Sequence, residues 1–158
     1  MAFDFTVAKD LDPVALAAKE LQYHAGLVQG FAAVGGYVMA SHFLRVVRDE
    51  IGALRQKPTN ELDLDAVHVA ALHNLQRAYA TRLQDNLQFL VAGQEGAYAD
   101  RVRAAAELLL AHAAEHLTDA QLRPVRVQVL EAARQLQPPS GPEGELFLEA
   151  RLDERFPL

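Results

Sequence analysis

The chain has 158 residues, 51% hydrophobic and 23% charged, enough to bury a core without disulfide or metal staples. It contains no cysteine, which excludes disulfides, thiolate nucleophiles and cysteine-ligated zinc or iron–sulfur sites together. A formal charge of -6 argues against a broad electrostatic grip on nucleic acid, so a nucleic-acid partner is not expected.

The first residues, MAFDFTVAKDLDP, carry acids where a secretory leader needs bases, and the cytoplasm is the expected location. The longest apolar run, 31–47, is broken by Gly35, Gly36, Ser41, His42 and Arg45, too polar to span a bilayer. Near its start the chain alternates: Phe3, Phe5 and Val7 are interleaved with Asp4 and Thr6. Period two is a strand signature, so residues 1–10 are expected to be extended.

Asp12-Pro13 reads as an N-cap followed by proline in the first turn of helix, where its missing N–H costs nothing. Leu16, Glu20, Tyr23 and Leu27 mark one side of this first helix, and Val14, Ala17, Leu21, His24 and Val28 the next. Gly26, Gly30, Gly35 and Gly36 are expected to end the helix or allow close packing. No Gly-x-Gly-x-x-Gly or Gly-Lys-Ser pattern makes them a phosphate loop.

A second helix is predicted from the double glycine to about Gln56. Its stripe of Tyr37, Ala40, Leu44, Val47, Ile51 and Leu54 alternates spacings of three and four, suited to a partner helix inside the subunit or across a dimer. Tyr37, Leu44, Val47, Ile51 and Leu54 are therefore the candidate interface. Arg45, Arg48, Arg55 and Lys57 stand among Asp49 and Glu50, a mixed solvated face.

The third and longest helix is expected from Asn60 or Asp63 towards Gly93, with Leu64, His68, Leu72, Leu75, Tyr79, Leu83, Leu87 and Leu90 as its stripe. The fourth, from about Tyr98 to Leu117, turns Val102, Ala106, Leu109 and Ala113 inward, with Leu108 and Leu110 widening that face. Thr118-x-x-Gln121 is a capping box for a last helix that kinks or starts at Pro124, with Leu122, Val125, Val129, Ala132 and Leu136 as its stripe. Residues 138–158 are expected to form a Pro/Gly linker and a second extended segment, in which Leu146, Leu148, Ala150 and Leu152 alternate with Phe147, Glu149, Arg151 and Asp153. The two ends could pair as strands, within the chain or with a second copy. The expected fold is thus all-α: one domain over 1–158, a bundle of four to five helices with short extended termini.

All six histidines fall in predicted helix. His112 and His116, four apart in LLLAHAAEHLT, share one helical face and could both reach one metal ion. The zinc-protease motif needs glutamate directly after the first histidine, and Ala113 stands there; di-iron bundles need two Glu-x-x-His pairs, and the chain has only Asp65-x-x-His68. A divalent zinc or iron site would instead draw a third histidine from another helix, His68 first, with His73 and His24 as the others. The plainer reading puts His112 and His116 at the rim of a helix C-terminus, where its dipole favours partly protonated imidazole. His24 and His68 fall on apolar stripes and read as hydrogen-bonded core histidines.

His73, beside Gln76 and Arg77, has the exposed, cation-flanked setting of a phosphotransfer histidine. Ser41-His42-Phe43-Leu44-Arg45 resembles the Ser-His-Glu-Leu-Arg box of sensor-kinase dimerisation helices over five positions, with Phe43 in place of the acidic residue. That resemblance implies phosphotransfer at His42. Serine occurs only at 41 and 140, no Gly-x-Ser-x-Gly elbow exists, and the Asp63/Asp65 pair reads as a charged helix start. The leading functional expectation is a non-enzymatic interaction or regulatory module, a homodimer or a binder of a protein partner. A metal- or small-ligand-binding bundle is the alternative.

Overall fold

A computed structural model describes residues 12–57, 62–87 and 96–136. The extended segments expected at 1–10 and 138–158 lie outside these residues. Within them the chain is all-α, with five helices and no strand: α1 (Pro13–Ala33), α2 (Tyr37–Leu54), α3 (Leu64–Asp85), α4 (Ala97–His116) and α5 (Asp119–Leu136). No described helix is long and apolar enough to cross a membrane. The chain divides into two compact units, 1–78 and 79–158, with the boundary inside α3.

In the first unit, α1 begins as its sequence predicts. Asp12 Oδ1 accepts a hydrogen bond from the Ala15 amide at 2.8 Å, and Pro13 opens the first turn. Gly26 and Gly30 neither end α1 nor mark close packing: the helix runs on to Ala33, and a Cβ added at either glycine would meet nothing within 4 Å. The stop comes later and is local. The Gly36 amide bonds the Phe31 carbonyl at 2.8 Å and the Gly35 amide bonds Ala32 at 3.0 Å, a Schellman closure with Gly35 at φ 71°. Gly36 (φ -78°, ψ 67°) adds a γ-turn, closed by a 2.9 Å bond from the Tyr37 amide to the Gly35 carbonyl.

After this turn α2 runs back along α1. Leu21, Val28 and Ala32 of α1 are buried together with Ala40, Leu44, Val47, Ile51 and Leu54 of α2. The regular stripe of α2 is therefore used up inside the subunit. Leu44 is 1% exposed and Val47 0%, while Tyr37 is half-buried, so these candidate interface residues offer no open apolar face to a second copy. In α3, Asp63 Oδ1 accepts from the Ala66 amide at 3.0 Å, the charged start expected there, and Ala71, Leu75 and Ala78 are buried.

The second unit takes Tyr79, Ala80, Leu83 and Leu87 from the end of the α3 segment, Ala99, Val102, Ala106, Leu109, Leu110 and Ala113 from α4, and Leu122, Val125 and Val129 from α5. Leu108 does not widen the inner face of α4; it is 72% exposed. Three successive leucines span about 200° of a helix at 3.6 residues per turn, so they cannot all face one core. The capping box forms both of its bonds, Gln121 amide to Thr118 Oγ1 at 3.3 Å and Thr118 amide to Gln121 Oε1 at 3.0 Å. It starts α5 ahead of Pro124, which the helix accommodates in its interior.

Two substitutions separate buried from exposed leucine. Leu44→Ala is expected to cost about 2–5 kcal/mol in urea unfolding, and Leu108→Ala no more than about 0.5 kcal/mol. Gly35→Ala, forced into the left-handed region, is expected to cost about 1–2 kcal/mol by the same measurement.

Candidate functional site

The two histidines of the His-x-x-x-His pair occupy the last turns of α4, with Leu117 as the C-cap. Leu109, Leu110 and Ala113 fill the inner face, which leaves His112 and His116 half-buried at its rim. Their ring centroids lie 4.5 Å apart with planes tilted by 40°. Tyr79, fully buried, reaches His112 from α3: its hydroxyl lies 2.8 Å from His112 Nδ1. Burying a phenol hydroxyl is costly without a hydrogen bond, and His112 supplies one.

Arg126 lies in the same unit, 5% exposed. With Tyr79, Leu83, Leu109 and Leu122 it lines a cavity of ≈ 10 Å³, room for about one water. Ligand pockets are usually hundreds of Å³, so this one serves packing rather than a substrate. Sequence periodicity placed Tyr79 in the core without indicating its partner. It missed Arg126, although the residue stands four after Leu122 and three before Val129, on the apolar stripe.

The first unit gathers other histidines. His24 Nδ1 lies 2.7 Å from Glu50 Oε1, which links α1 to α2 and satisfies the half-buried imidazole as expected of a core histidine. Phe43 stacks on His24 at 5.9 Å and on Phe31 at 5.9 Å. The phenylalanine that replaces the acidic residue of the kinase-like box thus ties α2 to α1. His42 is exposed and edge-on to Phe43 at 5.0 Å; His73 is exposed on α3.

His68, half-buried, accepts a hydrogen bond at Nε2 from Arg48 Nε at 3.2 Å, and the neighbouring Asp65 is paired with Arg55. Two guanidiniums next to this imidazole oppose a metal cation. Among the described residues no three histidines, aspartates or glutamates gather into a metal-holding group. Comparison with known proteins returns no matching family model, no matching curated protein and no matching solved structure.

The titrating groups of the first unit give opposite pH dependences. Burial lowers the His68 pKa from the usual 6.5, and Arg48 and Arg55 lower it further against a weaker opposing pull from Asp65. The unfolded chain then binds this proton more readily than the folded one, and stability falls as pH drops below 6.5. Burial raises the Glu50 carboxyl above 4.5 by more than the His24 hydrogen bond and charge lower it, and Glu20 adds to the rise. Its stabilising contribution is present below 4.5 and is lost as pH climbs through the raised value. In urea midpoints followed across the acid range, His68→Asn is expected to flatten the loss on acidification below 6.5, and Glu50→Gln to flatten the decline above 4.5.

Proposed function

We propose that the chain is a non-enzymatic helical interaction module that self-associates through the outer face of α1 and the α1–α2 corner. The observation that carries this reading is the exposed glycine face. Gly26 and Gly30 sit one turn apart inside α1, both exposed, with open space where each Cβ would be. A glycine inside a helix costs about 0.5–1 kcal/mol relative to alanine, and nothing in the subunit's own packing requires one here.

Small residues one turn apart let a second helix backbone approach closely. Exposed Ala33 continues the face, and the corner beyond it presents Val34 at 68%, Val38 at 55% and Met39 at 42% exposure. A run of open apolar side chains beside a smooth helix face favours association over solvent. The stripe from Tyr37 to Leu54 holds the subunit together, and this neighbouring surface takes over the docking role.

Light scattering over a concentration series tests the reading. Wild type is expected to shift from monomer to dimer as concentration rises, and the paired change Val38→Glu/Met39→Glu to hold it monomeric. Gly26→Leu/Gly30→Leu is expected to weaken the dimer at least tenfold while leaving the helical circular dichroism unchanged. A wild-type chain that stays monomeric at every concentration sinks the proposal.

A further inference from the structure

The geometry of the first unit points to a binding site for a phosphate dianion, free or at the end of a small phosphomonoester, held between Arg48 and Arg55 over Gly52. Arg55, the C-cap of α2, keeps helical φ -60° and ψ -22°, so it stands two turns beyond Arg48, about 10 Å along the same side of the helix. Two bonds to α3 fix the edges of the site: Arg48 Nε donates to His68 Nε2 at 3.2 Å, and Arg55 Nη2 to Asp65 Oδ1 at 2.5 Å. Gly52, four residues after Arg48 and three before Arg55, falls between them on that side. It is exposed, and a Cβ added there would meet nothing within 4 Å. A glycine inside a helix weakens it, and the packing of α2 does not require this one; what its missing side chain allows is close approach of a ligand to the backbone.

Charge decides the kind of ligand. Arg48 bonds His68 through Nε alone, so its two Nη groups can offer parallel donors to two oxygens of one anion, the fork that suits phosphate. Arg55 and Asp65 are 55% and 84% exposed, an open pair that water screens and a dianion can enter. Two guanidiniums against one carboxylate leave the notch positive, and Asp49 lies about 100° round the helix from Arg48. The C-terminal end of α2 and the N-terminal end of α3 meet here with opposite dipoles, so the side chains set the sign. The chain's charge of -6 is screened beyond about 8 Å in physiological salt, whereas the guanidinium donors act in contact.

An anion seated here also acts on His68. Arg48 and Arg55 from α2 and Asp65 from α3 are the charged groups that face this imidazole, and the two cations oppose its protonation. A dianion beside them favours the imidazolium, so binding raises the His68 pKa and, by reciprocity, acidification tightens binding. Once protonated, Nε2 no longer accepts from Arg48 and can donate to the anion instead.

Titration of the full chain with inorganic phosphate, followed by the His68 ring-proton shifts at an ionic strength held constant with chloride, tests the site. Wild type is expected to saturate, and Arg48→Gln or Arg55→Gln to weaken binding about tenfold, the loss of a charge-assisted bond. Gly52→Leu keeps every charge but fills the notch, and should weaken binding while leaving the helical circular dichroism unchanged. Asp65→Asn removes the competing carboxylate and should tighten it. Arg123→Gln removes the same charge from an exposed position on α5 and should bind as wild type does. Phenyl phosphate in parallel separates the sources: equal affinity assigns the site to the free ion, tighter binding to an ester. Sulfate, which stays a dianion, is expected to raise the His68 pKa. Equal phosphate responses by wild type and Arg48→Gln/Arg55→Gln, or none by wild type, overturn the site. Unchanged affinity in Gly52→Leu overturns the notch, and a His68 pKa unmoved by sulfate overturns the link to His68.

Discussion

A left-handed glycine at position 35 lets the chain reverse direction between α1 and α2, and the first unit is built on that reversal. A side chain at φ 71° would crowd its own backbone, and one at position 36 would press on the Phe31 carbonyl at 3.2 Å. Because the turn is this short, α2 must lie against α1. Its apolar stripe meets Leu21, Val28 and Ala32, Phe43 stacks on both Phe31 and His24, and Glu50 is carried to the His24 imidazole. The His24–Glu50 pair and the apolar corner follow from the same two glycines.

The second unit handles polar groups differently. Its core keeps a phenol hydroxyl and a guanidinium among leucines and valines. Tyr79 directs its hydroxyl to the rim of α4, where His112 meets it, so the cost of burying oxygen also fixes the orientation of an imidazole. Arg126, 5% exposed, lines the same cavity, so its charge is held within the core. Polar chemistry is thus concentrated at the end of α4 while the cavity behind it stays too small for a ligand.

Local signals in the sequence were read correctly because the physics that makes them is local. Asp12-Pro13, Asp63 and Thr118–Gln121 each bond amides within three residues, so a short window contains both partners. Periodicity likewise picked out Leu44, Val47, Leu75, Leu109 and Val129 as core. It could not say whether the α2 stripe meets its own chain or another, because both bury the same residues. Nor could it assign histidine partners: Glu50 is 26 residues from His24, and Tyr79 is 33 from His112. Leu108 faces solvent because its angle on the helix, and not its hydrophobicity, decides burial, and Arg126 is buried although charge alone points to solvent. Glycines 26 and 30 read as helix breakers by composition, yet the turns on either side of them carry α1 through.

Pro124 sets a seam in α5. Proline has no amide hydrogen to return to the Ala120 carbonyl, so the ladder loses a rung there. The residues before it are closed on themselves by the reciprocal bonds of Thr118 and Gln121. Buried Leu122 anchors the turn before it, and buried Val125 and Val129 anchor the residues after it. The opening turn and the body of this helix are therefore each anchored on their own, and the missing rung is the weakest point of the ladder between them. Local opening of α5 is expected to begin at that rung, where the backbone has lost a bond, rather than in the capped turn or the packed body.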